Sequence, residues 1–587
     1  MQARLRAPAW LSPHVLAGRL GLAGAAAAAA CGLAHYCLNW QQLNPDGPSY
    51  FDLGRHLLAS GLARGWNAHW SPLYGILAAS AGQAAESAGL HPLAGVQALN
   101  ALLYLANLAA CLGFTRELLR SVASEAARRS AGALELVSVS LFCTLTVRFG
   151  WAALLTPDLA VSLLALWAAR LTVRFLRSHA AADSALAGAA LGLAYWFKSV
   201  ALPLFVLWFI LVLVTLRKRP AQLRRLAWAL PVWLVIVAPL VGITSKAAGK
   251  FTIGESGRHA YLWYVRHSFF VERPDGRRPL AAPVLHPVPT LLEDPKVYVF
   301  GDRFREATYA LWYDPYYWQA GAQLRPSAFE LACAFLRNSR GMLTVWLSKT
   351  LLPFLLMLVC AALGAMRRRS GNEVLRFCVL FAGLPVLALL LLHAEMHFFY
   401  AQFLMLMSAG AVSLSLSSHG RRRRLLLTLL VATSCWGLAV SAIRGVPRRP
   451  SYAALAAEAA GRGGVREGMT VCTVGDVSVS QWAWYARVRV KAELPLAEYR
   501  RLNGAGGRPG EEVLRAFEAA GCEAAVATLT ENDPTPWGWS RPADAPVYVR
   551  LLSRPPRPAS TRIQSSHATT NRAWGASRQP GSRRLAR

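Results

Sequence analysis

The sequence predicts an all-α polytopic membrane protein of about eleven transmembrane helices, with a small α/β domain after the last of them. Three observations predict it. Of the 587 residues, 54% are hydrophobic, and the mean hydropathy of +0.31 exceeds that of ordinary soluble domains. Apolar windows of about 20 residues, the length that crosses a bilayer, recur along the chain. Arginines gather in every second connection between them, as they do on the cytoplasmic side of membrane proteins. That gathering also accounts for the net charge of +32, which in a soluble chain would point to nucleic acid.

Taken in order, the spans fall near 14–37, 94–114, 132–151, 157–177, 184–198, 200–216, 226–244, 342–366, 375–393, 398–417 and 424–443. Arg4 and Arg6 precede the first span. Arg116, Arg120, Arg128 and Arg129 follow the second, and Arg174 and Arg177 the fourth. Arg217, Lys218, Arg219, Arg224 and Arg225 follow the sixth. Arg367, Arg368 and Arg369 follow the eighth, and Arg421 to Arg424 the tenth. The positive-inside rule then places the N-terminus in the cytoplasm and the C-terminus outside. Leu73 to Leu90 carries Gln83 and Glu86 and is laid on the outer surface. Ser184 to Leu216 holds two short spans, because both its flanks are basic. The first apolar stretch is long and lacks a cleavage site, so it stays as a span.

Two regions lie outside the spans. The insert 245–340 is too long for a plain connection and is expected to have its own structure. It is rich in Tyr and Trp, as in YLWYVRH at 261–267 and YALWYDPYYW at 309–318. Residues 447–550 read as an extracytoplasmic α/β unit. Its strands are Met469–Val474, Arg487–Lys491 and Glu523–Thr528, and its helices Ser478–Ala486 and Glu511–Ala520. Gly475-Asp476 resembles a nucleotide-fold turn, but the Gly-x-Gly-x-x-Gly fingerprint is absent, so an accessory structural unit is the preferred reading. The chain thus divides into a transmembrane domain at 1–443, which includes an outer loop at 38–93 and the insert, the α/β unit, and a disordered basic tail at 551–587. The ten cysteines show no metal-ligand spacing. Most lie in apolar spans, where they pack as small hydrophobes, and a Cys472–Cys522 pair across neighbouring strands in an oxidising compartment is the lesser alternative.

The ionisable residues in unusual settings all fall on the outer side of this topology. Pro45 to Tyr74 is a polar, aromatic loop between apolar segments. Asp46 sits in a turn punctuated by Asn44-Pro45 and Gly47-Pro48. Ser49 and Asp52 match a capping box that starts a short helix with Tyr50, Leu53 and Leu57 on one face. Asp46 is then the acid without a local structural role: a turn aspartate, a general base or a metal ligand. Asp158 follows Thr156 and Pro157, a cap and first-turn pattern that explains it structurally. It is also a second carboxylate at the outer end of a span. Lys198 is the only charge between Asp183 and Arg217. It either snorkels or meets a phosphate or carboxylate. His393, Glu395 and His397 alternate at a span boundary, as a polar turn or a substrate contact, without the spacing of a zinc site. Arg258, Arg266 and His267 make a solvated face or hold phosphate.

Together these stretches resemble the GT-C superfamily of glycosyltransferases, which includes protein O-mannosyltransferases and lipid A aminoarabinose transferases. They are most similar to a set of uncharacterised bacterial glycosyltransferase-like membrane proteins, which implies a multi-pass protein of a bacterial inner membrane. The likeness is carried by DGPSYFDLG at 46–54, SPLY at 71–74, TPD at 156–158 and GLAYWFKSVALP at 192–203. KVYVF at 296–300, WYDPYYW at 312–318 and FFYAQFLML at 398–406 complete it. It covers most of 14–443. The resemblance implies an inverting transfer of a hexose or pentose from a polyprenyl-phosphate donor to an extracytoplasmic acceptor, which is a lipid, a glycan or a protein. It implies Asp46 as the general base, Asp158 as a second acid holding acceptor or metal, and Lys198 near the lipid phosphate. Tyr50, Arg258, His397 and Tyr400 are the further candidate substrate contacts. A divalent metal at Asp46 and Asp158 is the one candidate cofactor. Asp46-Gly47 stands where many members have two adjacent acids, and His397-Phe398 where many have Arg-Tyr. A lipid or sugar transporter would instead want midplane polar residues and paired repeats, which the sequence lacks. A non-catalytic scaffold on the same fold is the third reading.

Overall fold

The computed structural model describes residues 13–552 apart from 63–65, 123–128, 149–152, 270–277, 280–283, 349–372, 417–419, 445–450, 476–478, 505–510, 530–532, 534–535, 537–538 and 543–546. The basic tail beyond residue 552 and most of the span expected at 342–366 lie outside the described residues.

The helices in chain order are α1 Pro13–Leu38, α2 Asp46–Ser60, α3 Pro72–Ser87, α4 Pro92–Ser121 and α5 Ala131–Cys143, which runs into a π turn at Thr144–Arg148. Next come α6 Asp158–Ser178, α7 Ala181–Phe197, α8 Ala201–Leu216, α9 Pro220–Leu226 and α10 Ala229–Ala248. The insert contributes α11 Ser256–Ala260, α12 Ala310–Tyr313, α13 Pro315–Gln319 and the start of α14 Ala328–Ser348. Then follow α15 Glu373–Leu390, a 3₁₀ turn at Met396–Phe399, α16 Tyr400–Ser415 and α17 Gly420–Arg444. Among the described residues, six helical stretches are long and apolar enough to cross a membrane: Arg19–Leu38, Pro92–Ser121, Asp158–Ser178, Pro220–Ala248, Glu373–Leu390 and Met396–Ser415. Ala131–Val147, Ala201–Leu216 and Leu427–Ile443 are shorter apolar helices.

One large apolar core joins α1, α4 to α8, α10, α15 and α16, centred on residues such as Phe114, Phe142, Leu166 and Trp208. The outer-loop helices α2 and α3 belong to a second core, shared with the insert. They cross with backbones in contact: a Cβ on Gly54 would lie 1.9 Å from the Gly75 carbonyl oxygen. Only hydrogen at both positions permits that approach.

The capping box expected at Ser49 and Asp52 does not form. Helix α2 starts three residues earlier, at Asp46, with Pro45 at its N-cap and no side-chain cap bond. The Ser49 hydroxyl donates instead to the Trp312 carbonyl at 3.0 Å, and Asp52 accepts from the Thr308 N–H at 2.7 Å. With the helix begun at Asp46, Ser49 and Asp52 lie within it rather than at its N-cap and N3, and both side chains are tied to the insert instead. Thr156 likewise makes no cap bond; Pro157 occupies the N-cap of α6 and Asp158 its first turn.

Among the described residues eight strands complete the fold: β1 Ser268–Phe269, β2 Arg278–Pro279, β3 Thr290–Glu293, β4 Lys296–Val299, β5 Thr470–Val474, β6 Arg489–Leu494, β7 Ala524–Thr528 and β8 Val547–Leu551. β1 and β2 pair by themselves, and the other six form one sheet in the order β3-β4-β6-β5-β7-β8. Its centre, β6-β5-β7, is parallel, and β4 and β8 join antiparallel. The hairpin β3–β4 comes from the insert, and its Lys296 N–H donates to the carboxylate of Glu498, 202 residues away in sequence. Strand alternation sends Val471, Ala524 and Val526 to the core shared with the outer loops and Cys472, Ala525 and Ala527 to the opposite face, and a break in register between β5 and β6 lets Val490 join the first set and Ala492 the second. The second set meets Tyr499 of α20 and Phe517 of α21, once α18 Tyr452–Arg462, α19 Val479–Tyr485, α20 Leu496–Gly504 and α21 Glu511–Ala519 are counted along the chain.

Cys472 and Cys522 are disulfide-bonded across a separation of 50 residues. Closing a loop of that length restricts the unfolded chain by about 4 kcal/mol on the chain-entropy scale. Cys472→Ser/Cys522→Ser is therefore expected to lower the thermal midpoint of the full protein, and reductant to do the same to the wild type. A differential scan with and without reductant checks it.

Candidate active site

The start of α2 is fixed by a close approach. The Leu155 N–H donates to the Asn44 side-chain oxygen at 2.9 Å, which ties the first outer loop to the segment entering α6. A Cβ on Gly47 would come within 2.7 Å of the Leu43 side chain and 3.0 Å of Leu155. Glycine there lets the first turn of α2, carrying Asp46, sit against the start of α6, carrying Asp158.

The Asp46 carboxylate is not without a partner. Its Oδ1 accepts from the Trp312 indole N–H at 2.8 Å. Trp312 is itself held at its carbonyl, which accepts from the Ser49 hydroxyl and from the Trp70 indole at 3.1 Å. Its ring stacks on Trp263 at 5.1 Å. Tyr50, one turn along α2, packs on Trp70 at 4.8 Å and edge-on to Tyr74 at 5.4 Å. The Tyr74 hydroxyl donates to Asn100.

Lys198 ends α7 at the break before α8. Its ammonium donates to Asp158 Oδ1 at 2.7 Å, with side-chain exposures of 26% and 5%. It also lies 4.1 Å from the centre of the Phe398 ring. The polar turn between α15 and α16 closes the cluster. His397 Nε2 is 3.5 Å from Asp158 Oδ2 and its Nδ1 3.3 Å from Glu395, while His393 Nε2 is 2.7 Å from the other Glu395 oxygen. Tyr264 of the insert stacks face to face on His393. Among the described residues, the buried Tyr400 hydroxyl has no hydrogen-bond partner.

Electrostatics link Asp46 to this cluster. Burial pushes its carboxyl up to about 6; the Trp312 N–H and Lys198 pull it down, and the charges of Glu395 and Asp158 push it up. At neutral pH the ionised form then prevails by roughly ten to one. Glu395 runs the other way. Burial raises it, but the His393 bond and the charges of His397, His393 and Lys198 outweigh that and hold it at about 2. The arrangement thus sets a proton acceptor poised near neutrality beside an ammonium and two imidazoles, a pairing suited to removing a proton from one group and holding negative charge on another.

No family model matches the chain, and no curated protein matches it. Among solved structures it is similar to ArnT from Cupriavidus metallidurans bound to undecaprenyl phosphate, at 14% identity and a TM-score of 0.51, over 91% of this chain and 99% of that one. The chain has the GT-C fold. Two other GT-C structures match less closely. ArnT from the same organism in the apo state has 13% identity and a TM-score of 0.49, over 87% and 93% of the two chains. The archaeal oligosaccharyltransferase AglB from Archaeoglobus fulgidus, in complex with an inhibitory peptide and a dolichol-phosphate, has 12% identity and a TM-score of 0.45, over 86% and 69%.

Within this GT-C fold the sequence-derived residues divide cleanly. Asp46, Asp158, Lys198 and His397 form one electrostatic cluster, with Tyr50 and Tyr400 feeling the charge of Asp158. Arg258 is placed elsewhere. Its guanidinium bonds to Glu255 and to the carbonyls of Gln319 and Ala322, where it knits the insert together. Trp312 and Glu395 were the residues whose connections sequence reasoning missed. WYDPYYW and the His-Glu-His turn marked both positions, but not their partners.

The donor set does not suit a metal at Asp46 and Asp158. Asp158 is already bonded to Lys198, Asp46 to Trp312, and among the described residues no group of three His, Cys, Asp or Glu side chains is arranged to hold an ion. A third oxygen or nitrogen ligand would have to come from rearrangement, so no step is routed through a metal.

Proposed function

We propose that this protein is a membrane glycosyltransferase that moves a sugar from a polyprenyl-phosphate donor to an acceptor on the extracytoplasmic side. The observation that carries the proposal is the convergence of Asp46 with the Asp158–Lys198–His397 group at one end of α6 and α7. The ArnT structure that shares the fold holds undecaprenyl phosphate, which supports the donor class. In the proposed reaction an acceptor hydroxyl or amine gives its proton to Asp46 and attacks the anomeric carbon. The bond from that carbon to the lipid phosphate breaks, the phosphate oxygen takes the electron pair, and single displacement inverts the centre. Lys198 and His397 stabilise the departing phosphate, and Tyr50 and Tyr400 contact the substrates.

Reconstituted protein given labelled polyprenyl-phosphate sugars tests this directly. The expected result is release of free polyprenyl phosphate coupled to a new glycosidic bond. Movement of the labelled lipid across the vesicle without a new bond would assign a transporter instead.

Trp312→Phe gives a finer test. It keeps the stack on Trp263 but removes the N–H that holds Asp46 and lowers its proton affinity. Transfer is expected to fall by about tenfold, roughly the worth of one hydrogen bond to a charged group. The acid limb of the pH–rate profile should move to higher pH, because loss of the donor raises the carboxyl further. An unshifted limb would show that Trp312 acts only through packing.

A further inference from the structure

Helices α4 and α6 lie side by side and run the same way. From the middle of α4 the Asn107 amide donates to the Leu159 carbonyl at the start of α6 at 2.8 Å, and near the ends of both helices Arg177 pairs with Glu117. Between these ties the seam is hollow, with a cavity of about 360 Å³. Ala106, Ala109 and Ala110 line it from α4, and Leu163, Leu164 and Trp167 from α6. Three alanines give α4 too little bulk to fill the space, and the exposed Trp167 places its mouth on the lipid side. The volume is that of an ordinary small-molecule site.

Arg170 closes the cavity on the side away from Asp158. Its guanidinium lies across the seam against Gly113, where an added Cβ would come 2.8 Å from Nη1. The next two arginines of α6 have acids: Arg174 pairs with Asp183 and Arg177 with Glu117. Among the described residues Arg170 has no carboxylate and no hydrogen-bond partner, only the Trp167 ring, whose centre lies 6.0 Å from its guanidinium carbon. It stands eight residues before Ser178, about 12 Å from that end of the helix at 1.5 Å per residue. An unmatched cation at that depth turns toward the nearer membrane surface, and it calls for an anion.

We propose that this seam binds one anionic glycerophospholipid from the leaflet remote from Asp46, its phosphate on Arg170 and an acyl chain in the cavity. An anionic headgroup is favoured over a zwitterionic one because the latter brings its own ammonium and leaves the guanidinium less well matched. The site is distinct from the candidate active centre, which lies at the opposite end of α6, and the inference does not depend on the transfer reaction.

Native mass spectrometry of the full-length protein, released from nanodiscs of mixed phosphatidylglycerol and phosphatidylcholine, tests the proposal. The expected result is one retained phosphatidylglycerol. In Arg170→Gln its retention should drop by about fivefold, the factor for one basic residue facing anionic lipid. Arg217→Gln, at the exposed end of α8 on the same face, should leave it unchanged. Ala110→Phe puts a ring into the cavity while keeping the arginine and should also expel the lipid, which keeps the test open if Arg170→Gln is poorly folded. Equal retention of the two lipids by the wild type, or a phosphatidylglycerol adduct that persists in Ala110→Phe, would overturn the proposal.

Discussion

Asp46→Asn is expected to lower transfer by about 10²- to 10⁴-fold, the usual range for loss of a general base, while the protein still folds and inserts. Asparagine keeps the shape, and its carbonyl oxygen can accept the Trp312 N–H in place of the carboxylate. Stability should hold or rise at neutral pH. The folded carboxyl titrates at about 6, above its unfolded value, so ionised Asp46 is disfavoured in the native state. Its contribution is present at low pH and is lost as pH rises through that window, and the amide removes the penalty. The same raised value predicts a wild-type kcat/KM that falls as pH drops through about 6, since the base must be ionised to accept a proton. A pH–rate series paired with thermal scans of both proteins measures all three effects. Full activity in Asp46→Asn would remove the proposed base.

Lys198→Met is expected to have the second largest effect, on both stability and turnover. The ammonium is bonded at 2.7 Å to Asp158, whose side chain is only 5% exposed. Removing one partner strands the other charge in a poorly hydrated place, at a cost of about 3 kcal/mol. His397, 3.5 Å from the other oxygen, can relieve only part of this. The double variant Lys198→Met/Asp158→Asn separates structure from chemistry. It should recover most of the lost stability, because no lone carboxylate remains. It should not recover transfer, because the cation proposed for the phosphate is still missing. A double variant that regained both would assign Lys198 a purely structural role.

Much of this architecture was legible in the chain. The long apolar helices fall close to the windows expected at 14–37, 94–114, 157–177, 375–393 and 398–417, because bilayer thickness fixes a length and a composition that need no partner to be recognised. The strands at 470–474 and 524–528 also lie where their β-rich runs stood. Local chemistry was less reliable. Ser49 and Asp52 carry the spacing of a capping box, yet both side chains turned to the backbone of Trp312 and Thr308, because a buried helix start is exposed to donors and acceptors from anywhere in the chain.

By itself the sequence determined the helices, the alternating arginines and the candidates Asp46, Asp158, Lys198 and His397. These rest on periodicity, charge and isolation, which are properties of short stretches. Only the tertiary structure decided that Trp312 holds Asp46, that Glu395 bridges two histidines beside Asp158, and that the insert lends β3 and β4 to the C-terminal sheet. It also decided that Arg258 serves the insert's own packing while Arg170 is left without an acid. The physical reason is the same in each case: a hydrogen bond or ion pair is set by distance in space, and residues hundreds of positions apart leave no mark of their proximity on either stretch.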